Sequence, residues 1–153
     1  MISSDPSCFR SNEDFVVEGP WLMYKDQEYF LFYSAGNYKN PTYRLMVARS
    51  SQLEGPYSKG EIPVVETDWE SYDRGLNTTW EGPGHGSVVV DSAGVWWLLY
   101  HSWTFKHDQL EAGADPGRVM LLDRLEWHGA PLTQLWPRVG GGVPSDTQQS
   151  PPV

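Results

Sequence analysis

Glu18 and His85 are the residues whose types and spacing first point to chemistry. They stand 67 residues apart, and the same offset lays residues 21–34 over 88–101 without a gap, matching Leu31 to Leu98 and Tyr33 to Tyr100. Each opens the first strand of its repeat unit. Two ionisable groups at equivalent positions facing a common axis are what a polar axial site needs. Gly19-Pro20 after Glu18 and Gly86 after His85 are small or rigid, and let a ligand or another backbone come close. An alternative makes Glu18 a turn carboxylate and His85 a loop imidazole satisfied by backbone groups. Gly-Pro also follows Glu54 and Glu81, so the triplet alone is weak and its place at a strand start is what separates Glu18. Trp80 and Trp103, in loops beside the proposed site, have faces on which a sugar could stack, with packing between sheets as the equal alternative.

The elements that must position these groups are strands. Apolar runs are short, aromatic or β-branched, and Gly, Pro, Asn and Asp punctuate them. The pattern predicts strands over 16–24, 29–34, 43–49, 64–66, 87–90, 95–101 and 118–125. Lys25-Asp26-Gln27-Glu28 and Asp91-Ser92-Ala93-Gly94 have the chemistry of tight hairpin loops. The strands after them are apolar at consecutive positions, so both of their faces are covered. Further on, residues 44–48 lie over 118–122 at an offset of 74, and each unit then holds about four strands, the content of one β-propeller blade. Two units do not close a ring, so further blades, or another chain, must complete it. The fold class is therefore all-β, a partial propeller of about two four-stranded antiparallel blades, with an exposed apolar face where a third would dock. A closed β-sandwich is the alternative. Residues 1–137 form this unit, and the Gly-, Pro-, Ser- and Gln-rich 138–153 read as a disordered tail.

Composition sets the class. Of 153 residues, 14% are aromatic, with eight Trp and eight Tyr, which suits a β-rich core or a sugar-stacking surface. The net charge of −9, with eleven Lys and Arg scattered singly, offers no stripe to neutralise a phosphate backbone, which excludes nucleic acid as a partner. No stretch of 18 apolar residues occurs, so no membrane span is expected, and the first residues lack the pattern of a secretory signal. Cys8 stands alone, which excludes an intrachain disulfide. Glu81 and His85 have i, i+4 spacing, but Gly82-Pro83-Gly84 between them forbids the helix that a zinc-protease site requires.

Several separate segments, in order, resemble glycoside hydrolase family 43. Val17-Glu18-Gly19-Pro20-Trp21-Leu22-Met23-Tyr24-Lys25 followed by Tyr29-Phe30-Leu31-Phe32-Tyr33-Ser34-Ala35-Gly36 resembles the part that presents the family's general acid. Val47-Ala48-Arg49-Ser50 with Leu53, Gly55 and Pro56 is similar to its link between strands. Gly82-Pro83-Gly84-His85-Gly86 and Trp97-Leu98-Leu99-Tyr100-His101 resemble the next blade, and Arg118 with Leu122-Asp123-Arg124-Leu125 and Trp127 the last. The resemblance covers roughly 13–136.

It implies the C-terminal part of a five-bladed propeller that hydrolyses O-glycosyl bonds with inversion, on arabinose- or xylose-containing polysaccharide. Glu18 would protonate the departing oxygen. His85 would lie beneath the sugar, orienting a neighbouring carboxylate or, in arabinanase-like members, facing a calcium ion through water; no cofactor is otherwise required. Arg118 would hydrogen-bond sugar hydroxyls with its fixed planar donors; the alternative is a surface Arg on a blade edge, as expected for Arg44. Inversion needs a second carboxylate roughly 6.5–9.5 Å from the acid. In the family that base and a third, pKa-tuning aspartate lie upstream, where this chain offers only Asp5, Glu13 and Asp14, so neither can be placed. A non-catalytic carbohydrate-binding fragment is the competing expectation. The resemblance also implies a secreted, extracellular protein.

Overall fold

A computed structural model describes residues 16–73, 80–103, 117–129 and 136–145. They form two four-stranded antiparallel sheets, each a meander in chain order: β1 (Val17–Lys25), β2 (Glu28–Ala35), β3 (Arg44–Ser50) and β4 (Ser58–Lys59), then β5 (Glu81–Val90), β6 (Trp96–Trp103), β7 (Arg118–His128) and β8 (Trp136–Val139). A single helical turn, α1 (Trp69–Asp73), lies between them. Both expected hairpins are present. Asp26 and Gln27 take φ of 50° and 65°, the left-handed pair that matches a two-residue turn to strand twist. In the other hairpin the Asp91 carboxylate accepts from Ala93 N, Val95 N and Trp97 Nε1, closing the turn on its own strand.

The consecutive apolar residues of β2 and β3 are explained by two cores. Phe30, Phe32, Leu45 and Val47 face the second sheet and meet Val88, Leu98, Tyr100, Leu125 and Val139 from it. Tyr33, Ala35, Met46 and Ala48 project to the opposite face and form a second cluster with Val17 and Tyr57 against it. Each large side chain so buried contributes about 1.5–3 kcal/mol relative to exposure.

Four expectations need correction. Residues 64–66 do not form the fourth strand of the first sheet, which is Ser58–Lys59; Val64 and Val65 instead follow an excursion through Pro63 and return to bond Leu45 at the same edge of β3. The boundary at 137/138 falls inside β8, and the chain stays packed to Ser145, whose amide and hydroxyl both bond the buried Asp123 carboxylate. Arg44 is not a surface residue but 7% exposed. The expected bare apolar face is only partial on the first sheet, where Tyr33, Ala35, Met46 and Ala48 are buried and Leu22 and Tyr24 of β1 are exposed. Exposed apolar residues do occur on the outer face of the second sheet, at Val89 and Met120.

Candidate active site

Glu18 lies near the start of β1, opposite Ser34 of β2, immediately before a register shift that spans Gly19 and Pro20. The bulge re-aims the strand, and the half-buried carboxylate accepts a hydrogen bond of 2.7 Å from the phenol of Tyr43, which precedes β3. Burial raises the pKa of Tyr43, so its proton is retained and it acts as donor.

The second sheet brings His85 to the same place. β5 is bulged twice, on either side of Gly84, and His85, inside the second bulge, adopts φ of 55°, a strained position for a side chain with a Cβ. Its amide donates to Ser34 Oγ across the sheets at 2.6 Å. The close approach depends on Gly19: a Cβ there would stand 3.2 Å from the His85 ring. Gly19 thus lets another element come close to the site, as read from the sequence, whereas Gly86 makes room for the core side chains of Leu45 and Leu98.

His101, near the end of β6, joins the group. Its ring stacks between Tyr43, 5.9 Å away and inclined by 4°, and His85, 6.1 Å away and inclined by 25°. Burial, then the positive field of Arg118 and of His85, push its pKa down to about 4, against a weaker opposing pull from Glu18. At neutral pH it is an uncharged imidazole. Arg118, which opens β7, approaches His101 Nε2 at 3.5 Å and donates to Tyr38 O at 3.2 Å. Arginine has only donors, so Nε2 is the acceptor and the ring proton sits on Nδ1, a buried atom with no partner among the described residues.

Arg118 is therefore not on an outer rim; it is exposed beside the histidines, and its guanidinium lies 4.6 Å over Trp103. Trp103 is not in a loop but ends β6, pairs with Arg118 in the sheet, and is 9% exposed. With Arg118 above it and its indole nitrogen donating to Tyr38 O, it fixes the guanidinium more than it offers a free platform. Trp80 is half-buried outside the strands, and its indole nitrogen has no partner among the described residues. Glu18, His85 and Arg118 are thus gathered by one cluster, through Tyr43, Ser34 and His101, which the residue patterns alone did not single out. A signal for two of them existed: Ser34 and His101 close the repeat overlay as its last, polar pair.

The donor set does not make a direct calcium site. Calcium takes six to eight oxygen ligands, whereas this cluster offers two imidazoles and one carboxylate, and no group of three or more metal-ligating side chains occurs among the described residues. A cavity of about 670 Å³ lies elsewhere, between Gly60, Pro63, His128 and Trp136, and shares no residue with the cluster. Among the described residues no helix is long and apolar enough to cross a membrane.

Comparison with known proteins agrees with this geometry. The model of glycosyl hydrolases family 43 matches residues 1–131. An extracellular exo-α-(1→5)-L-arabinofuranosidase, ArbA, of Cellvibrio japonicus is 29% identical over 126 residues, which are 80% of this chain and 33% of that protein. A xylan 1,3-β-xylosidase of a Vibrio species is 25% identical over 101 residues, 65% of this chain and 18% of that one. The solved structure of a thermostable family-43 glycoside hydrolase superposes on the whole chain with a TM-score of 0.72 at 24% identity, using 46% of its own length. The chain spans about a third of the length of the arabinofuranosidase it matches. On the match to most of its length, the chain belongs to glycosyl hydrolases family 43.

Proposed function

We propose that this chain supplies the acid-bearing blades of an inverting glycosidase acting on arabinose- or xylose-containing polysaccharide. The observation that carries the reading is the convergence of a hydrogen-bonded carboxylate, an imidazole and a guanidinium from both sheets: Glu18 held by Tyr43, His85 against Gly19, and Arg118 beside His101.

Glu18 gives its proton to the departing glycosidic oxygen as the C–O bond breaks. Water, activated by a carboxylate from a further blade, adds on the opposite face of the sugar. Arg118 holds the sugar through hydroxyl hydrogen bonds, with Trp103 keeping the guanidinium in plane. His85 lies beneath the sugar and would be the residue to face a calcium ion through water if one were held there; no step requires the ion. The upstream blades, or a second chain, complete the propeller, and the relative named as extracellular supports secretion.

The test is hydrolysis of aryl arabinofuranosides and xylopyranosides by the chain alone and by the chain joined to base-bearing blades. Turnover that appears on joining and disappears in Glu18→Gln is the expected result. Sugar binding with no turnover in either form would favour the second reading, a carbohydrate-binding fragment, which the unplaced base supports.

A further inference from the structure

We infer that Ser34 and Tyr43 form a one-directional hydrogen-bond chain, started by the backbone N–H of His85, that dictates which oxygen of Glu18 carries the catalytic proton. The inference rests on the reading of Glu18 as the general acid and adds two positioning residues to it.

The direction follows from donor chemistry. A backbone N–H only donates, so the 2.6 Å bond from His85 N makes Ser34 Oγ an acceptor there. The Ser34 hydroxyl lies on the same side of Gly84 as the Tyr43 ring, and, its oxygen already accepting from His85, its one proton is the donor available to the Tyr43 phenol oxygen. The Tyr43 hydroxyl donates to Glu18 Oε1 at 2.7 Å. Each hydroxyl has one proton to give, and Ser34 and Tyr43 are 0% and 1% exposed, so water does not reach in to reverse the order. With Oε1 already accepting, the proton of the neutral acid belongs on Oε2.

The chain also works in the protonation step. The Oε2 proton passes to the leaving oxygen, which takes the electron pair of the breaking C–O bond, and Glu18 is left as a carboxylate. The bond from Tyr43 then becomes charge-assisted and stronger, so it favours the transition state over the ground state. The arrangement spans both sheets and is built on purpose-shaped backbone: a Cβ at Gly84 would stand 2.2 Å from Tyr43 Cε1 and 3.1 Å from Ser34 Oγ, so glycine there is what lets the ring lie across β5.

The direct test is proton NMR on the 153-residue chain. The Tyr43 hydroxyl proton should be protected from exchange, close to both Ser34 and Glu18, and should move upfield in Ser34→Ala but not in Ser34→Thr, which keeps the hydroxyl. A rapidly exchanging Tyr43 hydroxyl, or one indifferent to Ser34→Ala, would overturn the chain. In the propeller completed by base-bearing blades, Tyr43→Phe should lower kcat about 10- to 100-fold on glycosides with poor leaving groups and leave dinitrophenyl glycosides and KM nearly unchanged. Ser34→Ala should follow the same split more weakly. Equal losses on both substrate classes would reduce Tyr43 to a structural residue. Glu18→Gln separates the two layers: if it kept full activity on poor leaving groups, the acid assignment itself would fail, whereas an inactive Glu18→Gln beside an unselective Tyr43→Phe would sink the chain alone.

Discussion

The two sheets repeat one framework and differ in how often their inner strand is bulged. β1 shifts register once, after Glu18, and presents a carboxylate whose hydrogen bond stays within its own sheet's connections, to Tyr43. β5 shifts twice, around Gly84, and so turns the backbone of His85 itself toward the first sheet while its ring stays exposed. The repeated parts, the hairpins and the Leu31/Leu98 and Tyr33/Tyr100 positions, serve packing. The unrepeated bulges set the chemistry. A duplicated blade can thus keep its core and change its site by one inserted residue.

The largest effect expected from this difference is at Gly84. Gly84→Ala places a methyl group 2.2 Å from the Tyr43 ring, and should cost about 3 kcal/mol of unfolding free energy in denaturant titrations. Gly94, in the β5–β6 turn, has open space around it and only a φ of 79° to protect, so Gly94→Ala should cost about 1 kcal/mol. Equal costs would mean that the bulged strand is no more constrained than an outer turn.

Arg118→Ala comes next. The residue is exposed and its bonds reach Tyr38 O and His101, so folding should survive while affinity for a bound saccharide falls by about 2 kcal/mol, roughly thirtyfold, by calorimetry. Unchanged affinity would remove Arg118 from the sugar.

His101 predicts a pH dependence whose sign is fixed by its lowered pKa. Between about 4 and 6.5 the unfolded chain binds a proton at His101 that the folded chain does not, so this contribution is fully present above pH 6.5 and is lost as pH falls toward 4. Allowing for partial exposure it amounts to about 2 kcal/mol. Unfolding titrations at pH 7.5 and 4.5 should show the loss, and His101→Gln should abolish this part of it. A slope unaffected by the substitution would contradict the buried, neutral imidazole.

The smallest effect belongs to Met120, 76% exposed on the outer face of the second sheet. Met120→Ser should change the stability of this chain by less than about 0.5 kcal/mol. In a completed propeller the same substitution should cost more if a further blade covers that face.

Much of this was legible from residues. The β2 and β6 apolar runs announced strands covered on both faces, and the 67-residue offset aligned Glu18 with His85, because packing requirements repeat with the fold. Tyr43 was legible only as the start of a strand. Its role depends on a contact 25 residues back in sequence, made possible by bulges whose register no periodicity reports. His101 was read as the end of an apolar run; its chemistry comes from Tyr43, His85 and Arg118, which lie on other elements. β8 was missed because Pro137 and the following glycines resemble a tail, yet at the sheet edge a proline gives up little and Val139 still fills the core. The strand expected from residue 87 proves to begin at Glu81, because the glycines and Pro83 of its bulged half carry no alternating apolar pattern.

The central claim is that Glu18 is the acid, poised by groups from both blades. It is tested most directly by Glu18→Gln in the propeller completed with its base-bearing blades, measured against leaving-group ability. The account predicts saccharide binding close to the parent's and kcat lower by about 10²- to 10⁴-fold on natural oligosaccharides, with little loss on dinitrophenyl glycosides, which depart without protonation. Hydrolysis of natural oligosaccharides at the parent rate would contradict it.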